Sequence, residues 1–278
     1  MSRRQWLASV AASVGVLPTV ALWAGEPEQT VELPSDQQRW FRQLAFADTD
    51  SDVVWSILGT KFGRVDNTLT PLWHTDTAVF TRIMHTQAGG FWLQNLEVVF
   101  YTDLQSGEHL STWRNVYRGR DVQVFLPAPR PVTTYYSQVG VRQGHGSGNV
   151  SIAERFLPTT VIGDSVSLRL EKRIEVAPND FDSRGFNGTE FLSYYGRLSE
   201  FNESEQASVA ATLTLEIFSD WLPWMDMGGT RGGLYTRAGG SKLNALNELP
   251  KSTRQLLAEH YPDIAEDPFS VFESPIIE

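Results

Sequence analysis

The stretch Ser165-Val166-Ser167-Leu168-Arg169-Leu170-Glu171-Lys172-Arg173-Ile174-Glu175-Val176 alternates with a period of two. Its odd positions are polar or charged, and its even positions are aliphatic except for Lys172. Side chains along a strand point alternately to opposite faces, so the segment reads as a strand with one buried face. Between Ala207 and Phe218 the same reading gives an inward set of Val209, Ala211, Leu213, Leu215 and Ile217. One-sided antiparallel strands must cover their apolar faces. The expected fold is therefore mainly β (α+β). It is an antiparallel sheet curled into a lipocalin-like barrel, or a two-sheet sandwich, with a few peripheral helices.

Working outward, Gln105-Ser106-Gly107-Glu108 and Tyr117-Arg118-Gly119-Arg120 read as turns. They link strands near 94–103, 108–117 and 120–126 into a meander. Parity through both turns puts Leu96, Val98 and Phe100 on one apolar face with Trp113, Asn115, Tyr117, Val122, Val124 and Leu126. Glu97, Arg114, Asp121 and Gln123 fall on the other, and Glu97 is expected to pair with Arg114 across it. The β pattern is expected from about Thr77 to Phe218, broken by a loop-rich stretch from Pro178 to Ser204. Ser35 is placed to cap a helix through about Phe46, with Trp40, Phe41, Leu44 and Ala45 as its apolar stripe. A short helix is expected around Lys251 to His260.

At the N-terminus, Arg3-Arg4 precedes a soft apolar run from Ala8 to Ala24, with no acidic residue before Glu26. A positive n-region followed by such a run reads as a secretory signal, and the paired arginines point to the twin-arginine route. The expected organisation is a signal peptide over 1–25 and a single β-rich domain over 26–278. The twin-arginine export machinery is then a partner, the site of action is the periplasm, and no stable membrane insertion of the mature chain is expected.

Among 278 residues there is no cysteine, which excludes a disulfide, a thiolate metal site and a cysteine nucleophile. The formal net charge is −10; without Arg3 and Arg4, 21 of the 23 basic residues remain against 33 acidic ones, or −12. That balance argues against nucleic acid, which requires a basic footprint. It favours a neutral or apolar ligand, or an anion held by one buried cation. No nucleotide-binding glycine loop is present: Gly144-His145-Gly146-Ser147-Gly148 opens no helix and reads as a hairpin loop. The five histidines show no HxH, HxxxH or HExxH spacing, so neither a metal nor another cofactor is expected.

The central segment also carries a resemblance. Glu97-Val98-x-x-Tyr101-x-Asp103, then Gly107-Glu108, then Trp113-x-Asn115-x-Tyr117-x-Gly119 resembles the core motif of an exported bacterial family, the domain of unknown function DUF1838. Trp221-x-x-Trp224-Met225-x-Met227-Gly228, followed by Gly233-Leu234-Tyr235, is similar to that family's C-terminal motif. Val116 departs from the pattern, where the family often has Pro. The resemblance implies a mostly β domain of unassigned activity and supplies no catalytic residues.

Candidate site residues therefore come from chemistry alone. Asn115 lies on an apolar face, where an amide must be hydrogen-bonded; it either ties down backbone or contacts a ligand. Lys172 interrupts an aliphatic alternation. In a lumen, desolvation would lower its pKa, suiting a base or imine-forming amine; near a strand end it would snorkel outward. An inward Arg82, set beside Gln94 by a five-residue loop, is suited to clamp an anion or to form a structural bridge. Tyr117 is a further proton carrier. Trp113, Phe100, Tyr194, Tyr195 and Trp224 are the candidate ligand-binding aromatics; the alternative for those in long loops is satellite packing. Three functional classes remain open: a cofactor-independent lyase, isomerase or hydrolase acting on a small aromatic or apolar molecule; a periplasmic binding protein without turnover; and a packed structural domain. Two or more ionisable groups converging in one pocket would favour the first.

Overall fold

The computed structural model describes residues 35–49, 51–86, 89–126, 128–137, 140–143, 150–176, 185–201 and 207–272. The expected signal peptide, the expected hairpin loop around His145 and the stretch 177–184 lie outside them. The chain runs α1 (Ser35–Ala45), β1 (Asp52–Val65), β2 (Thr68–His85), β3 (Phe91–Thr102), β4 (Thr112–Asn115), β5 (Arg120–Gln123), β6 (Val132–Ser137), β7 (Gly140–Gln143), β8 (Val150–Ile162), β9 (Ser165–Val176), β10 (Phe186–Arg197), α2 (Leu198–Phe201), β11 (Thr212–Ser219), β12 (Gly233–Leu243), α3 (Lys251–His260) and α4 (Pro262–Glu266). Ten strands form one antiparallel sheet in the order β7-β6-β3-β2-β1-β12-β11-β10-β9-β8. It curls into a half-barrel, so the fold is mainly β, and the barrel alternative describes it rather than the sandwich.

Local chemistry explains the tight hairpins. Val65 pairs with Thr68 and Ile162 with Ser165, leaving the two-residue loops Asp66-Asn67 and Gly163-Asp164. Asp66 (φ 52°) and Gly163 (φ 58°) take the left-handed conformation that such loops demand. Asp164 then caps α2, accepting from the Ser199 amide at 2.7 Å.

α1 closes the open side of the half-barrel. Phe41 packs edge-on to Phe156 of β8 at 4.9 Å and lies 5.8 Å from Tyr136 of β6. Its stripe is as the sequence implies: Phe41, Leu44 and Ala45 are buried, and Trp40 packs on Phe201. Lys242 holds the C-terminal end of α1, donating to the Gln43 and Phe46 carbonyls at 2.6 and 3.0 Å.

Three expectations need correction. The meander does not form as one sheet: β3 belongs to the large sheet, whereas β4 and β5 make a separate two-stranded hairpin, joined to the end of β3 by the Thr102–His109 bridge and by bonds from the Asp103 amide to the Glu108 carbonyl and from the Leu110 amide to the Tyr101 carbonyl. Leu96, Val98 and Phe100 are buried, but on the convex face, beneath Leu249, Leu257 and Ile264. Trp113 packs in a different cluster, with Trp73 and Met225, at one end of the half-barrel. Glu97 therefore faces the interior, and Arg114 pairs with Asp121 at 3.3 Å instead. The β pattern also starts earlier, at Asp52, and β10 occupies much of the stretch read as loop. Finally, the glycine-rich segment after Trp221 contains β12. A Cβ on Gly240 would stand 2.6 Å from the Ser56 carbonyl oxygen, so the glycine that weakens the strand signal lets β12 lie close to β1.

Candidate functional site

The concave face encloses a cavity of about 190 Å³. Alternation places its walls. Leu213, Leu215 and Ile217 from β11, with Leu192 and Leu170, make an apolar side, as the reading of β9 and β11 implied. Thr75, Thr77 and Thr81 from β2, with Asn95 from β3, supply hydroxyls and an amide. Trp55 and Phe46 approach from the α1 end, Phe186 and Leu222 from the other.

Five carboxyl and amine side chains project into this space: Lys61 (β1), Glu97 (β3), Glu154 (β8), Lys172 (β9) and Glu190 (β10). Register explains three of them. Lys172 is the direct partner of Glu154 on one side and of Glu190 on the other, giving a Glu–Lys–Glu ladder across three strands. Lys172 Nζ lies 3.7 Å from Glu190 Oε2. Glu154 also accepts from the Tyr136 hydroxyl at 3.0 Å.

The electrostatics follow from burial in low dielectric with few counter-charges. Burial would lower the Lys172 pKa, but Glu190, Glu154 and Glu97 together outweigh it and hold the amine above its ordinary value. That reverses the direction expected for an isolated lysine in a lumen. Burial, helped by Glu190, pushes the Glu97 carboxyl up to about 8. Burial pulls Lys61 down to about 8 against the attraction of Glu97 and Glu190. Burial likewise raises Glu154 and Glu190, with Lys172 opposing it in both. Tyr101 and Tyr194, also on the wall, are pushed above the usual phenol range.

The other expected site residues do not meet here. Asn115 is fully buried in the hairpin and bound to backbone. Its amide donates to the Met225 carbonyl at 2.8 Å, and its oxygen accepts from the Tyr117 and Arg118 amides at 3.0 and 3.1 Å. It ties down both the following turn and a crossing segment. The Tyr117 hydroxyl packs into the space that a Cβ on Gly63 would fill. Trp113 packs edge-on to Trp73 at 5.1 Å, and Trp224 packs tilted on it at 5.4 Å. Arg82 does sit opposite Gln94, as the five-residue loop implied, but on the convex face; it pairs with Asp52 at 2.6 Å and lies over Phe269 and Phe272. Phe100 is buried on that same face, and the Tyr195 hydroxyl lies 3.4 Å from Thr214 Oγ1 on the outside. Of the nine candidates, Lys172 and Tyr194 line the cavity.

Sequence reasoning missed Lys61, Glu97, Glu154 and Glu190. Glu190 was findable: in Phe186-x-Gly188-x-Glu190-x-Leu192-x-Tyr194 it holds an inward position of an alternating strand. Lys61 precedes the β pattern that the sequence shows from about Thr77, and parity through a meander puts Glu97 on the outer face. Among the described residues no three His, Asp or Glu side chains gather as metal ligands, and no helix is long and apolar enough to cross a membrane.

Two solved structures resemble this one distantly. Rv2717c from M. tuberculosis matches at 14% identity and a TM-score of 0.31, covering 76% of this chain and 99% of that one. BF2203 from Bacteroides fragilis NCTC 9343, of YmcC-like fold and provisionally named as exported, matches at 8% identity and a TM-score of 0.23, covering 69% and 97%. No curated protein matches. The family profile named Protein of unknown function (DUF1838) matches residues 65–276, and the chain belongs to that family.

Proposed function

We propose that this protein is an exported, cofactor-independent enzyme that takes a small aromatic or otherwise apolar molecule into the half-barrel and moves a proton on it. One observation carries the reading: five carboxyl and amine side chains from five strands converge on a cavity whose remaining walls are largely aliphatic and aromatic. Packing alone does not call for them, because each buried charge is costly. Polar groups converging in an apolar cavity are the usual form of a ligand site. The volume suits a small ring, since apolar cavities of about 150 Å³ in other proteins take up benzene.

Glu97 and Lys61 are the groups to which we give the chemistry. Burial brings the Lys61 amine and the Glu97 carboxyl to about the same value, 8, so proton transfer to or from a molecule bound beside them meets little mismatch. Lys172, locked between two glutamates, sets the field around them. Proton transfer of this kind serves a lyase or isomerase. Arg3-Arg4 and the apolar run behind it support export by the twin-arginine route.

Native mass spectrometry on protein purified from its own periplasm tests the reading. A small ring-bearing molecule, retained by the wild type and chemically converted by it but not by Glu97→Gln, is the expected result. Retention without conversion would make the protein a carrier. Absence of any retained molecule, together with no binding of small aromatics, would leave the cavity without a ligand role.

A further inference from the structure

The half-barrel holds two lysines in very different settings. Lys172 is paired by register with a glutamate on each side. Lys61 enters at the bulge between Lys61 and Phe62, where β1 changes register against β2. Its amine lies 5.8 Å over the Tyr101 ring. No ion pair or hydrogen bond to any described residue holds it. A structural lysine is normally engaged, as Lys242 is by two carbonyls of α1. An amine that reaches a cavity over an aromatic ring, with no hydrogen bond or ion pair to a described residue, is instead an available nucleophile.

We propose that Lys61 is a Schiff-base lysine: its amine condenses with the carbonyl carbon of a small aromatic or apolar aldehyde or ketone held in the half-barrel. The inference rests on the cavity being a ligand site. The neutral amine attacks the carbonyl carbon, a C–N bond forms, and the carbonyl π pair moves to oxygen. That oxygen takes a proton from the Glu97 carboxyl, giving a carbinolamine. The nitrogen then returns a proton to Glu97, the C=N bond forms, and the hydroxyl leaves as water after a further protonation by the same group. The sum is amine, carbonyl and the Glu97 proton giving protonated imine and water, with Glu97 left as its carboxylate until it takes up a proton from solvent. A protonated imine draws electrons from the adjacent carbon, which makes the neighbouring C–H or C–C bond easier to break. This is the link to lyase or isomerase chemistry.

Glu97 is given the role because its carboxyl lines the same cavity as the Lys61 amine, where it acts on that amine ahead of Glu190. The charges facing Glu97 itself are Glu190, Lys172 and Lys61. Its charge in turn is felt by Tyr101 on the same strand. Desolvation keeps a useful fraction of the Lys61 amine neutral near physiological pH.

The chain has four lysines, Lys61, Lys172, Lys242 and Lys251, which makes the assignment clean. The full mature chain is incubated with benzaldehyde and sodium cyanoborohydride, and adducts are mapped by peptide mass spectrometry. The expected first adduct is one benzyl group on Lys61, formed about tenfold or more faster than on exposed Lys251. Excess benzyl alcohol, which cannot form an imine, should slow it. Lys61→Arg should remove it while preserving the near-UV circular dichroism; if that variant fails to fold, Lys61→Met and the wild-type competition serve instead. Lys242 controls for reactivity without a cavity, because burial lowers its amine to about 7 while two carbonyls engage it. First labelling at Lys242, Lys251 or the N-terminus, with Lys61 unmodified, overturns the proposal. Benzyl alcohol separates the two failures. If it raises the wild-type Tm while Lys61 stays unmodified, the cavity binds and the imine is wrong; if it does not, the binding reading falls as well.

Discussion

The Tyr136 hydroxyl donates a 3.0 Å hydrogen bond to Glu154 Oε2, joining β6 to β8 at the open side of the half-barrel. No strand ladder joins these two strands. The bond thus links one margin of the sheet to the charged ladder at the other, and Phe41 packs against both. Tyr136→Phe should cost about 1–3 kcal/mol, because a buried carboxylate loses a donor. Urea unfolding with an unchanged m-value would record it; an unchanged midpoint would mean that the bond adds nothing at the seam.

Phe41→Ala should cost about 3–5 kcal/mol, as the loss of a buried aromatic does. It should also loosen α1 selectively. Hydrogen exchange at α1 and at β6 would then rise well before exchange at β11, whereas uniform exposure would argue against a closing role for the helix.

Asn115→Leu should destabilise by about 2–4 kcal/mol, since the Met225 carbonyl loses a buried bond and the part-buried Tyr117 and Arg118 amides lose theirs, at about 1–3 kcal/mol for a buried group. A variant as stable as the wild type, yet unable to bind a cavity ligand, would restore a ligand role for Asn115.

Glu97 makes stability depend on pH. Its folded pKa, about 8, lies above the ordinary 4.5, so the folded state keeps a proton that the unfolded state has released. The stabilisation is fully present below about pH 4.5 and is lost as pH rises through about 8. Lys61 acts in the opposite sense and higher, between about 8 and 10.5. Glu97→Gln should therefore gain on the wild type in urea midpoint between about pH 5 and pH 8. Parallel curves over that range would show that Glu97 is not desolvated.

Lys172→Met should be the most damaging change in the cavity. It leaves Glu154 and Glu190 buried without their cation, at a cost of about 3–5 kcal/mol. Adding Glu190→Gln should recover part of that loss, and a double variant no better than the single one would mean that the ladder is not coupled.

The alternation in Ser165–Val176 and Thr212–Ser219, the stripe of α1 and the α3 helix are legible in the chain because each depends on neighbours within one element. So are the DUF1838 motifs. Asn115 could be recognised as a buried amide, but only its partners show that it serves the hairpin. The concave side of the sheet is a different kind of fact. Alternation says that the two faces of a strand differ, and in β3 both are covered: Leu96, Val98 and Phe100 by the C-terminal helices, Val99 and Tyr101 around the cavity. With apolar residues at both parities, sequence period alone cannot say which way the sheet curls. That curvature, with a register that sets Lys172 opposite Glu154 and Glu190, brings side chains from five strands spread between positions 61 and 190 into one cavity. Convergence over such separations is a property of the closed sheet and not of any strand within it.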